Sequence, residues 1–479
     1  MTFLRFATCA LLAFSQLSVG DLQSDVQKIV NAASLNKGHA SVCIIDTAIN
    51  KPIVQINANE LMIPASNQKL LTSGAALHVL GPSFTFQTHV LLDGDNITIV
   101  GDGDPTIGDS YLLNISDWST ENNNLDSELQ PWVDAIKASG IQKIKTLFVD
   151  DRIFDRNFVH PSWPANQINT YYCAQVSGLN YHLNVVHFSP SPRNGTTASL
   201  GVISPRMNWI TFRNKTSSNV GKKYKSSFWI ARTPNTNKMT ARGNVKAKHS
   251  VPVKVAFHDP AIVFGNTLAH LLQKNGIPVG LVKHVPDDSP TSSGTIIYTR
   301  STPLQTALNR SNTDSYNLYA ESLLKRISAE ATGRSGTFDE GAAVVKTAIG
   351  QRLNESIRSV VVVDGSGMSR NNRISPAILA RWLASFDTND PVGKVLLHSL
   401  ATPGKGTLKK RFIKTKFGNA SVHAKSGYLL GVCTLSGYIT FSEREPIVFS
   451  ILVNDVKGTV RGAKTMQEEI VSVVIQSME

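Results

Sequence analysis

The sequence predicts an α/β domain interrupted by a large β-rich insertion, on three features of its 479 residues. Short apolar, β-branched segments bounded by turn residues lie near the start, at 41 to 48 and 53 to 56. Similar segments lie near the end, at 422 to 425, 430 to 440 and 447 to 453. Apolar residues at helical spacing recur around them, as with Leu323, Leu324 and Ile327. From about 84 to 255 the pattern gives way to strand-like segments cut by Gly, Asn, Asp and Pro turns. Pairing of early with late strands would put both ends in one domain. The expected divisions are a leader at 1–20, the two parts of the main domain at 21–83 and 261–479, and the insertion at 84–260.

Arg5, in a mostly apolar run from 3 to 14 followed by Ser18-Val19-Gly20, has the shape of a secretory signal cut near residue 20, with a first strand or buried helix as the alternative. No other run of about twenty apolar residues suggests a permanent membrane anchor. The remainder, 41% hydrophobic and 17% charged overall, reads as an ordinary folded protein. Cys43, Cys173 and Cys433 would remain after loss of Cys9, and their odd number and wide spacing argue against a disulfide framework or zinc cluster. Cys43 and Cys433 sit in strand-like runs that suit buried thiols. The twelve His residues include no H-x-x-x-H pair on a recognisable helix, so a metal centre has little support.

The formal charge of +13 permits attraction to an anionic polymer, phospholipid surface or nucleic acid. The densest basic run, Lys409-Lys410-Arg411-Phe412-Ile413-Lys414, lies in no nucleic-acid motif. A solvated rim and a ligand-binding role both fit it. For an exported chain, anionic cell-wall or membrane polymers are the more accessible partners, so peripheral association is an expectation and nucleic acid is not.

In chain order, two early strands turn at Asn50-Lys51-Pro52, and a helix follows with Pro64 at its start, Ser66 in its first turn and Gly81-Pro82 at its end. The insertion carries strand candidates at 89 to 92, 97 to 100, 144 to 149, 209 to 212 and 228 to 231, with a helix around 132 to 138. Helices are expected at 261 to 275, 318 to 330, 340 to 353 and 377 to 386, with a strand at 360 to 363 before the turn Asp364-Gly365-Ser366-Gly367. A final helix aligns Met466, Ile470, Val473 and Val474 on one stripe.

Ser66-Asn67-Gln68-Lys69 is an S-x-x-K sequence at a helix start, and its i,i+3 spacing puts hydroxyl and amine on one face. A neutral Lys69 can take the Ser66 proton as the hydroxyl attacks a carbonyl carbon, if burial or nearby positive charge lowers its pKa. Alone, this pattern reads more simply as a capped helix with a solvated lysine. Ser315-Tyr316-Asn317 before a strong helix supplies a second element: Ser315 can relay a proton, and Asn317 can hold a substrate amide and fix Lys69. Lys425-Ser426-Gly427 at a strand end supplies the third. There Lys425 and Ser426 can meet a substrate carboxylate, Gly427 can admit a substrate backbone, and the N–H of Tyr428 can join that of Ser66 as an oxyanion donor. The trio in this order is the signature shared by penicillin-binding proteins and serine β-lactamases.

On this trio the chain resembles the D-alanyl-D-alanine carboxypeptidase/endopeptidase family of low-molecular-mass, class C penicillin-binding proteins. Gly101-Asp102-Gly103-Asp104-Pro105-Thr106, Asp364-Gly365-Ser366-Gly367-Met368-Ser369-Arg370 and Gly406-Thr407-Leu408 resemble further family segments, so the likeness runs from about 40 to the end. The resemblance implies a penicillin-binding/serine β-lactamase-like transpeptidase fold, with a five-stranded sheet, helices on both faces and an inserted accessory region. It implies a periplasmic or extracellular enzyme that cuts D-Ala-D-Ala in peptidoglycan stem peptides, and in many relatives D-Ala-diaminopimelate cross-links. An acyl-enzyme on Ser66 that β-lactams would trap is implied, with no metal or organic cofactor. The resemblance also implies that Asp150, or else Asp151, and Arg370 recognise the free end of a diaminopimelate side chain. Ser426 in place of threonine keeps the hydroxyl, whereas the bulk of Tyr428 narrows the approach. A β-lactamase or small-ester hydrolase with the same trio is the nearest alternative, separated by its need for rapid deacylation. A noncatalytic peptidoglycan-binding scaffold is the other, and the complete trio argues against it.

Overall fold

The computed structural model describes residues 19–193 and 196–478; apart from its last two positions, the expected leader lies outside them. A five-stranded antiparallel sheet forms the centre, in the order Ala420–Leu429, Val432–Phe441, Ile447–Asn454, His39–Asp46, Lys51–Ile56. The first strand pairs with the last, His39 opposite Asn454 through Asp46 opposite Ile447, so the expected union of the two ends holds. Side chains alternate across a strand, and both faces are apolar here. Val42 and Ile44 point into one core with helices Val19–Ala32 and Arg461–Met478. Cys43 and Ile45 point into the other, with helices Gln68–Leu80, Asn317–Thr332, Phe338–Leu353 and Pro376–Ala384. Helices on both faces follow from that double burial. Cys43, Cys173 and Cys433 are buried free thiols.

A second five-stranded sheet, of mixed direction, has the order Val279–His284, Ile144–Asp150, Asn96–Val100, Thr85–Asp93, Thr295–Pro303. Helices Glu121–Ala138 and Pro260–Lys274 pack on it through Trp132 and Phe264. Two three-stranded sheets follow: Phe212–Ser217, Met239–Asn244 and Trp229–Arg232, and then Val253–Ala256, Val185–Phe188 and Ile203–Ser204.

The boundary expected at 260 cuts this second sheet. Strands Val279–His284 and Thr295–Pro303 pair with insertion strands, and helical structure of the main domain resumes at Leu304–Asn312. Both strands are largely exposed and lack the apolar run that marks a buried strand. The helix expected around 132 to 138 instead spans Glu121–Ala138; its polar first half buries Leu125 and Leu129, and Pro131 lies inside the helix. Residues 360 to 363 form no strand, only an isolated bridge between Val361 and Arg373. Among the described residues, no helix is long and apolar enough to cross a membrane.

Candidate active site

Ser66 lies in a 3-10 turn, Ala65–Asn67, that feeds the helix Gln68–Leu80. Ala65 holds the left-handed φ of 45°, a conformation an alanine keeps only when its surroundings impose it. The neighbouring strands impose it. Thr434 Oγ1 donates to Pro64 O at 2.9 Å, Asn67 Nδ2 to Lys425 O at 2.5 Å, and Ser436 Oγ to Asn67 Oδ1 at 3.0 Å. A Cβ on Gly427 would lie 2.2 Å from Thr434 Oγ1 and 2.8 Å from the Ser66 nitrogen. The turn that carries Ser66 therefore requires a glycine at 427.

Lys69 Nζ stands 3.1 Å from Ser66 Oγ, 2.8 Å from Asn317 Oδ1 and 2.8 Å from Ser366 O. The side chain is fully buried, and burial pushes its pKa down to about 7 against the opposing pull of Glu321 and Asp364. Near neutral pH it can therefore lose its proton and accept another from Ser66. Asn317 opens the helix Asn317–Thr332 and fixes Lys69, as expected. Its Nδ2 is committed to Tyr172 O at 2.8 Å, so the expected grip on a substrate amide is not free in this geometry.

Ser315 occupies the turn between Leu304–Asn312 and Asn317–Thr332 with a φ of 63°. Its Oγ accepts a hydrogen bond from Lys425 Nζ at 2.8 Å, and the same nitrogen donates to Ser426 O at 2.8 Å. Lys425 is buried. Burial and then the charge of Lys69 push its pKa well down, with Asp314 opposing. The contacts with Ser315 and Ser426 both engage the amine that was expected to meet a substrate carboxylate. The relay expected from Ser315 keeps its serine but joins it to Lys425 as well.

Two acidic residues that sequence reasoning passed over hold the back of the site. Glu321 accepts from the backbone N–H groups of Gly365 at 2.9 Å and Ser366 at 2.7 Å. Asp364 accepts from the N–H groups of Gly367 at 2.9 Å and Ser369 at 2.6 Å, and from Trp163 Nε1 at 2.9 Å. Together they shape the turn that presents Ser366 O to Lys69. Gly367 has a φ of 79°, and a Cβ there would lie 1.8 Å from Ala65 O. The D-G-S-G pattern was visible as a turn, but nothing local tied it to Lys69. Glu321 sits on the apolar face with Leu318 and Leu324, and a charge on that face was the one available signal.

Ser66, Ser315, Ser426, Gly427 and Tyr428 line one cavity of about 210 Å³ with Arg411 and Thr407. Arg411, within the basic run, is buried and paired with Glu468, so this part of the run is no solvated rim. The strand Ala420–Leu429 is an edge strand, and Ala424 N donates outward to Ala401 O at 2.8 Å. Backbone direction alternates along a strand, so Ser426 and Tyr428 also turn their N–H groups to the open edge. The Tyr428 ring is 58% exposed and stands at the mouth, consistent with a role through its backbone. Beside Ser315 and Asn317 a groove of about 1300 Å³ continues past Tyr171, Tyr172 and Trp118; Thr407 lines both spaces.

The expected pair of Asp150 and Arg370 is not assembled. Asp150 is bound by Arg152, Nε at 2.8 Å and Nη2 at 2.8 Å, and by Ser292 Oγ at 2.6 Å, in a different cavity from that of Ser66. Asp151 is likewise held by Arg156 at 2.8 Å. Arg370 is exposed and donates to Leu430 O at 3.0 Å, at the tip of the edge-strand hairpin.

The chain is 28% identical over 481 residues to the D-alanyl-D-alanine carboxypeptidase of Actinomadura sp. (strain R39), covering 94% of this chain and 84% of that protein. It is 24% identical to penicillin-sensitive carboxypeptidase A of Dictyostelium discoideum, covering 84% and 80%. The crystal structure of penicillin binding protein 4 from Haemophilus influenzae superposes with a TM-score of 0.77 at 20% identity, over 94% of this chain and 99% of that one. This likeness establishes a penicillin-binding-protein fold, and the same protein has been crystallised with a β-lactam, with a TM-score of 0.71 at 20% identity over the same shares. With the trio gathered in one cavity and a family profile matching residues 22–476, the chain belongs to the D-Ala-D-Ala carboxypeptidase 3 (S13) family.

Proposed function

We propose that the protein is a serine D-alanyl-D-alanine carboxypeptidase that hydrolyses the terminal D-Ala-D-Ala bond of peptidoglycan stem peptides through an acyl-enzyme on Ser66. The observation that carries this is the 3.1 Å approach of Ser66 Oγ to a buried Lys69 whose pKa lies near 7. Neutral Lys69 takes the hydroxyl proton while Oγ bonds to the carbonyl carbon. The developing oxyanion faces the N–H groups of Ser66 and Tyr428. As the C–N bond breaks, the leaving D-Ala nitrogen takes a proton through Ser315, which Lys425 orients. Water then cleaves the ester, restores Ser66 and releases the shortened peptide. A substrate strand lying along Ala420–Leu429 would use the outward N–H and C=O groups of the edge. β-Lactams acylate the same serine in this reading.

The wide groove beside Ser315 and Asn317 leaves room for the second peptide of a cross-link, which favours D-Ala-diaminopimelate endopeptidase activity as a second reaction. The apolar N-terminal run with Arg5 supports export to a periplasmic or extracellular setting, where loose wall or membrane association suits the charge of +13. Labelled penicillin is expected to mark the wild-type protein and not Ser66→Ala, and wild type is expected to release D-Ala from a stem pentapeptide. Absence of both signals in folded wild type refutes the assignment, and rapid penicillin turnover without D-Ala release would move it to a β-lactamase. Cross-linked muropeptides in the same assay test the second reaction, and fractionation of the full chain tests export.

A further inference from the structure

Glu121, His182 and His187 come from three separate segments: the first residue of the helix Glu121–Ala138, a turn before a strand, and the strand Val185–Phe188. All three are essentially without solvent exposure. Their ligand-type atoms lie within 4.8 Å of one another, the one such cluster of His, Cys, Asp and Glu among the described residues. His182 Nε2 is 3.1 Å from Glu121 Oε1, and His187 Nδ1 is 2.9 Å from both carboxylate oxygens.

The hydrogen-bond pattern orients the first ring. His182 Nδ1 is 2.7 Å from Val185 O, and a carbonyl can only accept, so Nδ1 carries the hydrogen. Nε2 therefore turns its other face to a carboxylate, an approach that needs a cation between them, either a proton or a metal. A ring that donates one N–H to a backbone carbonyl and presents the other nitrogen is the arrangement metal-binding histidines adopt. The other nitrogen of His187, Nε2, is buried and has no hydrogen-bond partner among the described residues, so among them the ring's polar contact is on the Glu121 side.

We propose that Glu121, His182 and His187 form a buried site for one divalent transition-metal ion, with zinc the best match, that clips the helix Glu121–Ala138 to the strand Val185–Phe188. Two imidazoles and one carboxylate suit zinc, and disfavour calcium or magnesium, which take oxygen ligands. Ligands about 2.0–2.1 Å from a tetrahedral ion stand roughly 3.3 Å apart, so the carboxylate's separations of 3.1 Å from His182 and 2.9 Å from His187 need to open only slightly. Ser110 Oγ, 2.5 Å from Glu121 Oε1 and 3.5 Å from His182 Nε2, is placed to complete the coordination itself or through a water. Full burial leaves no open position for substrate, so the ion is structural. Its bonds would hold His182, Leu183 and Asn184, three successive residues in left-handed conformation at φ 52°, 57° and 55°. They would also set the groove wall beside the active site: Trp118 packs edge-on against His187 at 5.6 Å, and Trp118, Ser110 and Leu183 line the groove.

The test uses the purified full chain, stripped with chelator and titrated with Co²⁺ and then Zn²⁺. One equivalent of Co²⁺ is expected to give a visible absorption band of tetrahedral intensity, which Zn²⁺ displaces, with a rise in melting temperature. Glu121→Gln and His187→Gln are expected to lose the band and to bind at least tenfold more weakly while still labelling with penicillin. Should these variants not fold, the wild-type titration decides alone. Folded wild type that binds no equivalent of either ion, or folded variants that bind as wild type does, would overturn the proposal and leave a protonated His182 as the cation facing Glu121.

Discussion

Ser315 Oγ and Lys425 Nζ lie 2.8 Å apart although 110 positions separate them in the chain. The contact joins the second and third motifs, and in the proposed reaction Lys425 acts through that hydroxyl. Lys425→Met is therefore expected to lower acylation by labelled penicillin about 10²–10⁴-fold, the usual range for loss of acid–base assistance. The fall in kcat/KM should be similar for a pentapeptide with a free D-Ala carboxylate and for its C-terminal amide. A loss confined to the free carboxylate would restore the direct pairing role.

The pH dependence of acylation tests Lys69. Its folded pKa near 7 means that the rate should rise tenfold per unit below about pH 6 and level off above about pH 8 as the amine loses its proton. The same depression has a stability consequence. Between about 7 and the ordinary 10.5 the unfolded chain binds a proton that the folded one does not, so this group makes stability increase with pH across that window. Stopped-flow acylation from pH 5 to 9 checks the first statement, and denaturant midpoints check the second. A flat acylation profile would remove Lys69 as the base.

Glu321→Gln replaces one acceptor oxygen with an NH₂ that faces a backbone N–H of Gly365 or Ser366. The expected cost is about 1–3 kcal/mol for the lost buried acceptor. Burial and then the charge of Asp364 push the Glu321 pKa up to about 8, so its negative charge acts on Lys69 only toward the alkaline end. Removing it lowers the pKa of Lys69 there, and the upper part of the acylation profile should move to lower pH. A purely structural role for Glu321 predicts the loss of stability without that displacement.

Gly427→Ala should injure the nucleophile turn directly. The added methyl would sit 2.2 Å from Thr434 Oγ1 and 2.8 Å from the Ser66 nitrogen, so the edge strand and the turn must part. Overpacking of this kind costs about 1–3 kcal/mol. A larger proportional loss is expected in acylation rate, because the oxyanion donors on the two segments lose their spacing. Thermal melts and penicillin labelling on one preparation separate the two effects.

Asp150→Asn is expected to affect stability and leave substrate choice alone. Arg152 and Ser292 hold its carboxylate, and these hydrogen bonds depress its pKa against the opposing effect of burial. A depressed carboxylate contributes stability above its unfolded pKa and loses it as pH falls through the folded one. The variant should therefore melt lower at pH 7 and converge with wild type in acid, with an unchanged preference between diaminopimelate and lysine stem peptides. A changed preference would bring Asp150 back to the substrate.

The gathering of Ser66, Lys69 and the two later motifs was legible because each is a short pattern of fixed spacing, and their order made chance agreement improbable. The closing of the sheet was legible from apolar runs such as those around Ile44 and Ile451. Glu321 was not, since a single acid on a helix face declares nothing until the turn it holds has been folded against it. Asp150 closes the strand Ile144–Asp150, and its contact with Arg152, two residues away, is the local cap that the sequence equally allowed. The strands Val279–His284 and Thr295–Pro303 escaped because pairing at exposed edges relies on backbone groups, which every sequence supplies alike.

The pairing of His39–Asp46 with Ile447–Asn454 also governs when the enzyme comes into being. During synthesis the segment bearing Ser66 emerges first, and the insertion can begin to fold while the nucleophile waits. The strand that supplies Lys425 and the two that connect it to the first strand, Val432–Phe441 and Ile447–Asn454, arrive with the last part of the chain. Reactivity toward acyl donors should therefore switch on late, in a single step of long-range closure, and a nascent chain halted before residue 447 should carry Ser66 without the power to use it.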